Sequence, residues 1–247
     1  MLDLRILGDV RAHRDGQPVE LGTGQQCTLL AVLLVEANRE VTSARLARYL
    51  WGSRPPTSAK SCIQVHVSRL RTLLADPDFA IRAVPGGYRL DIDPEQVDLG
   101  RFIRLVELAG RQEDWVAVPL YREALALWRG RPLAMVEHTA PLTRALTERY
   151  LLELENSIEA RLRLGEHQQL VPELITASHE NPLRPRLTAA LMTALYRAGR
   201  AAEALRYYEH TRWMLADELG LEPHADLRRL QEAVLRDDPA LNLLTSR

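Results

Sequence analysis

The segment RPPTSAKSCIQVHVSRLRTLL, residues 54–74, has two prolines at its head and helical spacing through the rest. Pro55 and Pro56 cannot sit inside a helix, so Ser53 to Thr57 reads as a stiff loop and the helix as running from about Ser58 to Leu74. Ile63, Val67, Leu70 and Leu74 follow one another at +4, +3 and +4, an apolar stripe for a core. At about 100° per residue, Ser61, Val65, Ser68 and Thr72 point the other way, with Gln64 and Arg71 on one flank and Arg69 on the other. No acid occurs between Ser58 and Ala75. A merely solvated face usually mixes Glu with Lys; this one is small, polar and basic, which suits a helix that sinks into a groove of nucleic acid. Arginine pairs with guanine or phosphate, and Val65 can meet a thymine methyl. His66 lies only about 60° from the core stripe, which favours a buried structural role over contact with a base.

Before this helix, Leu2, Leu4 and Ile6 alternate with Asp3 and Arg5, and Asp15-Gly16 is a tight-turn dipeptide, so the chain opens on a small antiparallel meander. Gln25 to Ala37 is almost continuously apolar and reads as a central helix stopping at Asn38. Thr42 or Ser43 caps a second helix with Leu46, Ala47 and Leu50 on one face. After the third helix, Ile81–Val84 and Tyr88–Leu90 flank Pro85-Gly86-Gly87, a β-hairpin with a basic, aromatic edge. A basic-faced helix followed by a basic hairpin is the plan of a winged helix.

Charge agrees. Over the 247 residues Lys+Arg and Asp+Glu nearly cancel, yet residues 41–92 hold 8 against 3, net +5. A local patch in a near-neutral chain suits a polyanion. Asp93-Pro94-Glu95 is a composition break that divides the chain into residues 1–93 and 94–247. The second part is helical throughout: Asp98 is expected to cap one helix, Asp114 another, and a long helix spans Ala140 to Leu164. Gly165 and Gly199 stand 34 residues apart, the period of tetratricopeptide (TPR) helix pairs, and each separates two apolar-striped helices. The fold class is thus mainly α with a small β component: a winged helix followed by an all-α, TPR-like domain. Stacked pairs of this kind present a concave surface for protein segments.

Several classes are disfavoured. Lys60 is the only lysine and follows Ala59, so there is no Walker A motif; no GxSxG, GxGxxG or HExxH occurs, and the seven histidines never pair at metal-ligand spacing. Neither an enzyme, a metal nor a cofactor is expected. Met1-Leu2-Asp3-Leu4-Arg5 is not a secretory start, and the longest apolar run, Leu29 to Val35, falls far short of the roughly 20 residues of a membrane span. Cys27 and Cys62 read as reduced thiols in a cytoplasmic protein.

The ordered set LGDV…DGQPVEL, LARYLWG, VHVSRLR at residues 65–71 and GYR at residues 87–89 resembles the winged-helix domain of OmpR-type regulators. With ALWRGRPL and RYYEHTRWMLADELGLEPHADLRRLQEAVL behind it, nearly the whole chain is similar to the SARP family of antibiotic-regulatory activators, whose second half is the bacterial transcriptional activation domain. The resemblance implies that Ser61, Gln64, Val65, Ser68 and Arg69 face bases or groove. It likewise makes Lys60, Arg71, Arg82 and Tyr88 phosphate anchors, with Gly87 in the wing. From the residues alone, Tyr88 equally packs beneath the hairpin. OmpR-type helices often carry a second arginine where this chain has Ser68, leaving one contact fewer. The resemblance further implies double-stranded promoter DNA bound at tandem direct repeats, recruitment of RNA polymerase holoenzyme with the loop Arg54, Pro55, Pro56 and Thr57 touching it, and self-association on DNA. It points to control of a secondary-metabolite gene cluster. With the winged helix opening the chain, phosphorelay control is not expected. The rival reading is a TPR-like interaction scaffold whose winged helix no longer binds DNA; a third is a small ligand that gates the helical part.

Overall fold

The computed structural model of the protein describes residues 1–134 and 136–242, so the end of the segment expected to reach residue 247 lies outside the described residues. The chain packs as two compact units that do not divide at the composition break. One is Met1–Gly110 with Leu120–Leu151; the other is Arg111–Pro119 with the chain from Leu152 onward.

In the first unit, β1 (Leu2–Arg5), β2 (Arg11–Arg14) and β3 (Gln17–Val19) form the expected antiparallel meander, with Leu4 opposite Ala12 and Ala12 opposite Val19. Asp15 and Gly16 turn it, both at positive φ (50° and 79°). Helix α1 (Gly24–Val35) opens where Gln26 Oε1 accepts the Thr23 N–H at 3.0 Å. It buries an unbroken run from Thr28 to Leu34, which is why its sequence shows no polar face. Asn38 then takes φ 64°, and its side chain pairs with both backbone groups of Ile92 (2.9 and 3.1 Å). Strand β4 (Glu40–Thr42) leads into α2 (Ser43–Trp51), whose cap is Thr42, accepting the Arg45 N–H at 3.2 Å.

Helix α3 (Ala59–Leu73) packs Ile63, Val67 and Leu70, with Leu74 just beyond it, against α1 and α2; all four side chains are essentially fully buried. At about 1.5–3 kcal/mol for each such side chain, this stripe dictates which face is left outside. The far end of α3 is held from β2: Arg14 Nη2 donates to the carbonyls of Leu73 (3.1 Å) and Ala75 (3.3 Å), a cation at a helix C-terminus. The hairpin β5 (Phe79–Val84) and β6 (Gly87–Ile92) joins β4 in a sheet of order β4-β6-β5.

The same unit continues beyond residue 93. Helix α4 (Asp98–Ala109) starts after Val97, which is its N-cap. Asp98 is therefore not the cap expected from the sequence. Its carboxylate is fully buried and reaches back to β1, accepting from Ile6 N (2.9 and 3.1 Å) and Leu7 N (3.1 Å), with Arg129 Nη2 at 2.5 Å. Residues 129–134 add backbone bonds to Leu7, Ile6 and Gly8. Phe102, Trp128 and Tyr150 stack in sequence, with ring centroids 5.3 and 5.0 Å apart. Helices α5 (Asp114–Ala126) and α6 (Ala140–Arg163) supply residues to both units.

In the second unit, α7 (His167–Glu180), α8 (Pro185–Arg197) and α9 (Ala201–Leu219) follow one another, with α10 (Ala225–Leu235) behind. Gly165 (φ 83°) and Gly199 (φ 74°) make the turns the repeat called for. Glu155, almost wholly buried, is held by Arg186 Nη1 at 3.0 Å and Arg184 Nη1 at 3.4 Å. Arg163 clasps Asp114 through two bonds of 2.7 Å.

Candidate nucleic-acid interface

The outward side of α3 is open. Lys60, Ser61, Gln64, Val65, Ser68, Arg69 and Thr72 are exposed along one side of the helix, and Val65, at 48 % exposure, stands out as an apolar residue in a polar strip. No ion pair involves Lys60 or Arg69 among the described residues, so both cations are available to an outside anion. Behind this face His66 is buried at 8 % exposure, with Nε2 3.1 Å from Gln25 Oε1 on α1. Burial, and then the charge of Arg69, holds its imidazole below the ordinary 6.5. The histidine is thus a strut between two helices. The loop Arg54, Pro55, Pro56 and Thr57 is exposed throughout.

The hairpin differs from what its residue types suggested. Tyr88 is buried at 9 % exposure on the strand face it shares with Leu90 and Ile92, the packing position beneath the hairpin. Gly87 is buried too: a Cβ there would stand 2.1 Å from the Val41 carbonyl oxygen, so its lack of a side chain lets β6 close on β4. Arg71 turns from the groove to the hairpin, donating Nε (2.8 Å) and Nη2 (2.5 Å) to the Ile81 carbonyl oxygen. It ties α3 to β5, with only part of its guanidinium left for a phosphate. Arg82 is exposed but ion-paired with Asp91, and Asp91 also takes Arg89 Nε at 2.6 Å. Arg82 and Arg89 stand directly opposite each other across the strands, a like-charge pair that the shared carboxylate relieves. The arginines in turn hold the Asp91 carboxyl below its usual range, the Arg89 hydrogen bond most of all. Arg89 and Asp91 were not singled out in the sequence, although the i, i+2 spacing of Arg89-Leu90-Asp91 puts them on one strand face.

Two family models match. Residues 16–90 fit "Transcriptional regulatory protein, C terminal", and residues 97–235 fit the bacterial transcriptional activator domain. Regulatory protein AfsR of Streptomyces coelicolor is 40% identical over 248 residues, covering 98% of this chain and 25% of that protein. Regulatory protein DnrI of Streptomyces peucetius is 34% identical over 257 residues, covering 98% of this chain and 94% of its own length. The chain belongs to the SARP family of transcriptional regulators. The solved structure of Mycobacterium tuberculosis EmbR in complex with a low affinity phosphopeptide superposes on this SARP-family chain with a TM-score of 0.89 at 34% identity, over 98% of this chain and 68% of the other. The chain spans a quarter of AfsR and 64% of the EmbR sequences it matches, but nearly all of DnrI. These relatives are regulators by name. Among the described residues, no helix of this SARP-family member is long and apolar enough to cross a membrane.

Proposed function

We propose that this SARP-family regulator is a sequence-specific DNA-binding activator that seats α3 in the major groove. The observation that carries the reading is the acid-free outer side of α3, where Ser61, Gln64, Val65, Ser68 and Arg69 are exposed next to one another. Those five side chains meet base edges, Lys60 meets a phosphate, and Arg82 contributes from the wing when it leaves Asp91. The exposed loop Arg54 to Thr57 meets RNA polymerase holoenzyme. Two or more copies occupy tandem direct repeats, self-associating on DNA, at the promoter of a biosynthetic gene cluster in the cytoplasm. Residues 1–93 serve as the DNA-binding part and residues 94–247 as the activation part, even though packing joins α4 to the winged helix.

The test is fluorescence anisotropy with a genomic fragment selected by footprinting the full chain. Arg69→Ala should cost about 1–3 kcal/mol on the selected site and much less on random DNA. Lys60→Ala should weaken both alike and flatten the salt slope by roughly 0.9. Wild-type binding by both variants refutes the placement of α3.

A second reading, a TPR-like scaffold whose winged helix no longer binds DNA, draws on one feature of the second unit. A groove of about 170 Å³ lies among α7, α8 and α9, lined by Ile175, Leu191, Tyr207, His210 and Met214. Selection from a random duplex library separates the readings, since a scaffold enriches no sequence.

A further inference from the structure

A second cavity, of about 370 Å³, opens within the first unit where the end of α1, the start of α4 and the first half of α6 come together. Its volume is that of a small-molecule site rather than a packing defect. Leu34, Leu99, Ile103 and Leu146 are part of its mostly apolar lining, and no Asp or Glu lines it. The charged groups that do are Arg39, exposed, and Arg149, half-buried. Neither has an ion-pair partner among the described residues. Two guanidinium side chains without ion pairs, on one acid-free and mostly apolar hollow, suit an anion with an apolar body. Arg39 also comes off a rigid base. Asn38 before it is locked at φ 64° by its two side-chain bonds to Ile92 and by its N–H to the Leu90 carbonyl at 2.8 Å. That fixation reduces the entropy lost on binding.

We propose that this cavity binds an amphiphilic monoanion, a carboxylate on an aliphatic or aromatic body, with Arg39 and Arg149 on the head group and the leucine-rich wall on the tail. The proposal does not depend on DNA binding, and its test uses no DNA. The full chain is titrated with 8-anilinonaphthalene-1-sulfonate, and decanoate, decanol and decylammonium are compared as competitors. One saturable site per chain is expected, displaced by decanoate far better than by the alcohol or the cation. The double variant Arg39→Gln/Arg149→Gln should bind decanoate about tenfold more weakly, and Arg39→Lys/Arg149→Lys close to wild type. Ala145→Trp, which fills the cavity from α6, should abolish binding with the melting temperature kept. The proposal is overturned if no single-site binding occurs, if decanol competes as well as decanoate, or if the Gln double variant and Ala145→Trp both melt and bind as wild type does.

Discussion

Replacing Asp98 by alanine tests whether the winged helix depends on the chain beyond residue 93. The carboxylate accepts the N–H groups of Ile6 and Leu7 and faces Arg129, at 0 % exposure. Alanine leaves two buried N–H groups without acceptors, at about 1–3 kcal/mol each. Against that, the carboxylate no longer has to be desolvated; burial pushes the Asp98 carboxyl above its ordinary 3.8 even with these donors present, so the relief is substantial. Arg129 keeps water around a side chain that is 37% exposed and adds little. The balance is a loss of about 1–4 kcal/mol, a sizeable share of the roughly 5–15 kcal/mol that holds a domain together. Urea denaturation of the full chain reads the total, and amide exchange locates it: Ile6 and Leu7 should lose protection first while Leu70 on α3 keeps its own. Asp98→Asn should cost less than alanine, because an amide oxygen in the Oδ2 place still accepts from both Ile6 N and Leu7 N, while its nitrogen faces the Ile6 N–H. Unchanged protection at Ile6 and Leu7 with an unchanged midpoint would refute the reasoning. By the same account a fragment ending at Asp93 opens these same N–H groups to water and should be markedly less stable than the full chain.

Three other perturbations follow from the site. Asp91→Asn releases Arg82 and Arg89 from their shared carboxylate; if the wing touches DNA, affinity should rise at low salt and the salt slope steepen by roughly 0.9 per phosphate gained, at a stability cost below about 1 kcal/mol. An unchanged slope would exclude the wing from the contact. His66 binds its proton less readily in the fold than in the unfolded chain, so its contribution to stability is present above 6.5 and is lost as pH falls from there through the lowered value. Thermal melts between about pH 7.5 and 5.5 should therefore be flatter for His66→Gln than for wild type, and parallel curves would contradict the burial argument. Gly87→Ala drives a methyl into the Val41 carbonyl and should cost at least about 2 kcal/mol; a melting temperature within about 1 °C of wild type would mean that β4 and β6 do not approach so closely.

How far the site was legible follows from the range of the forces involved. The inner and outer faces of α3 come from spacing alone, because a helix of known pitch with one apolar stripe has its opposite face decided by arithmetic. The Asp15-Gly16 turn, the Thr42 cap and the paired glycines at 165 and 199 are equally local, each answering to a backbone preference of one or two residues. The wing misled because residue types do not announce their partners. Arg71, expected at a phosphate, also braces the Ile81 carbonyl; Arg82, expected at another, shares Asp91 with Arg89; Tyr88 had two equal readings, and the sheet buried it.

What belonged to the sequence by itself, then, was periodicity and punctuation: the helices, the meander, the hairpin, the repeat, and the basic polar strip that one apolar stripe forces outward. What only tertiary structure decided was the company each polar group keeps. Asp98 meets Ile6 across 92 positions, and Arg39 from the turn after α1 and Arg149 from α6 reach one hollow, because a carboxylate or guanidinium finds its partner through space, where chain separation carries no information.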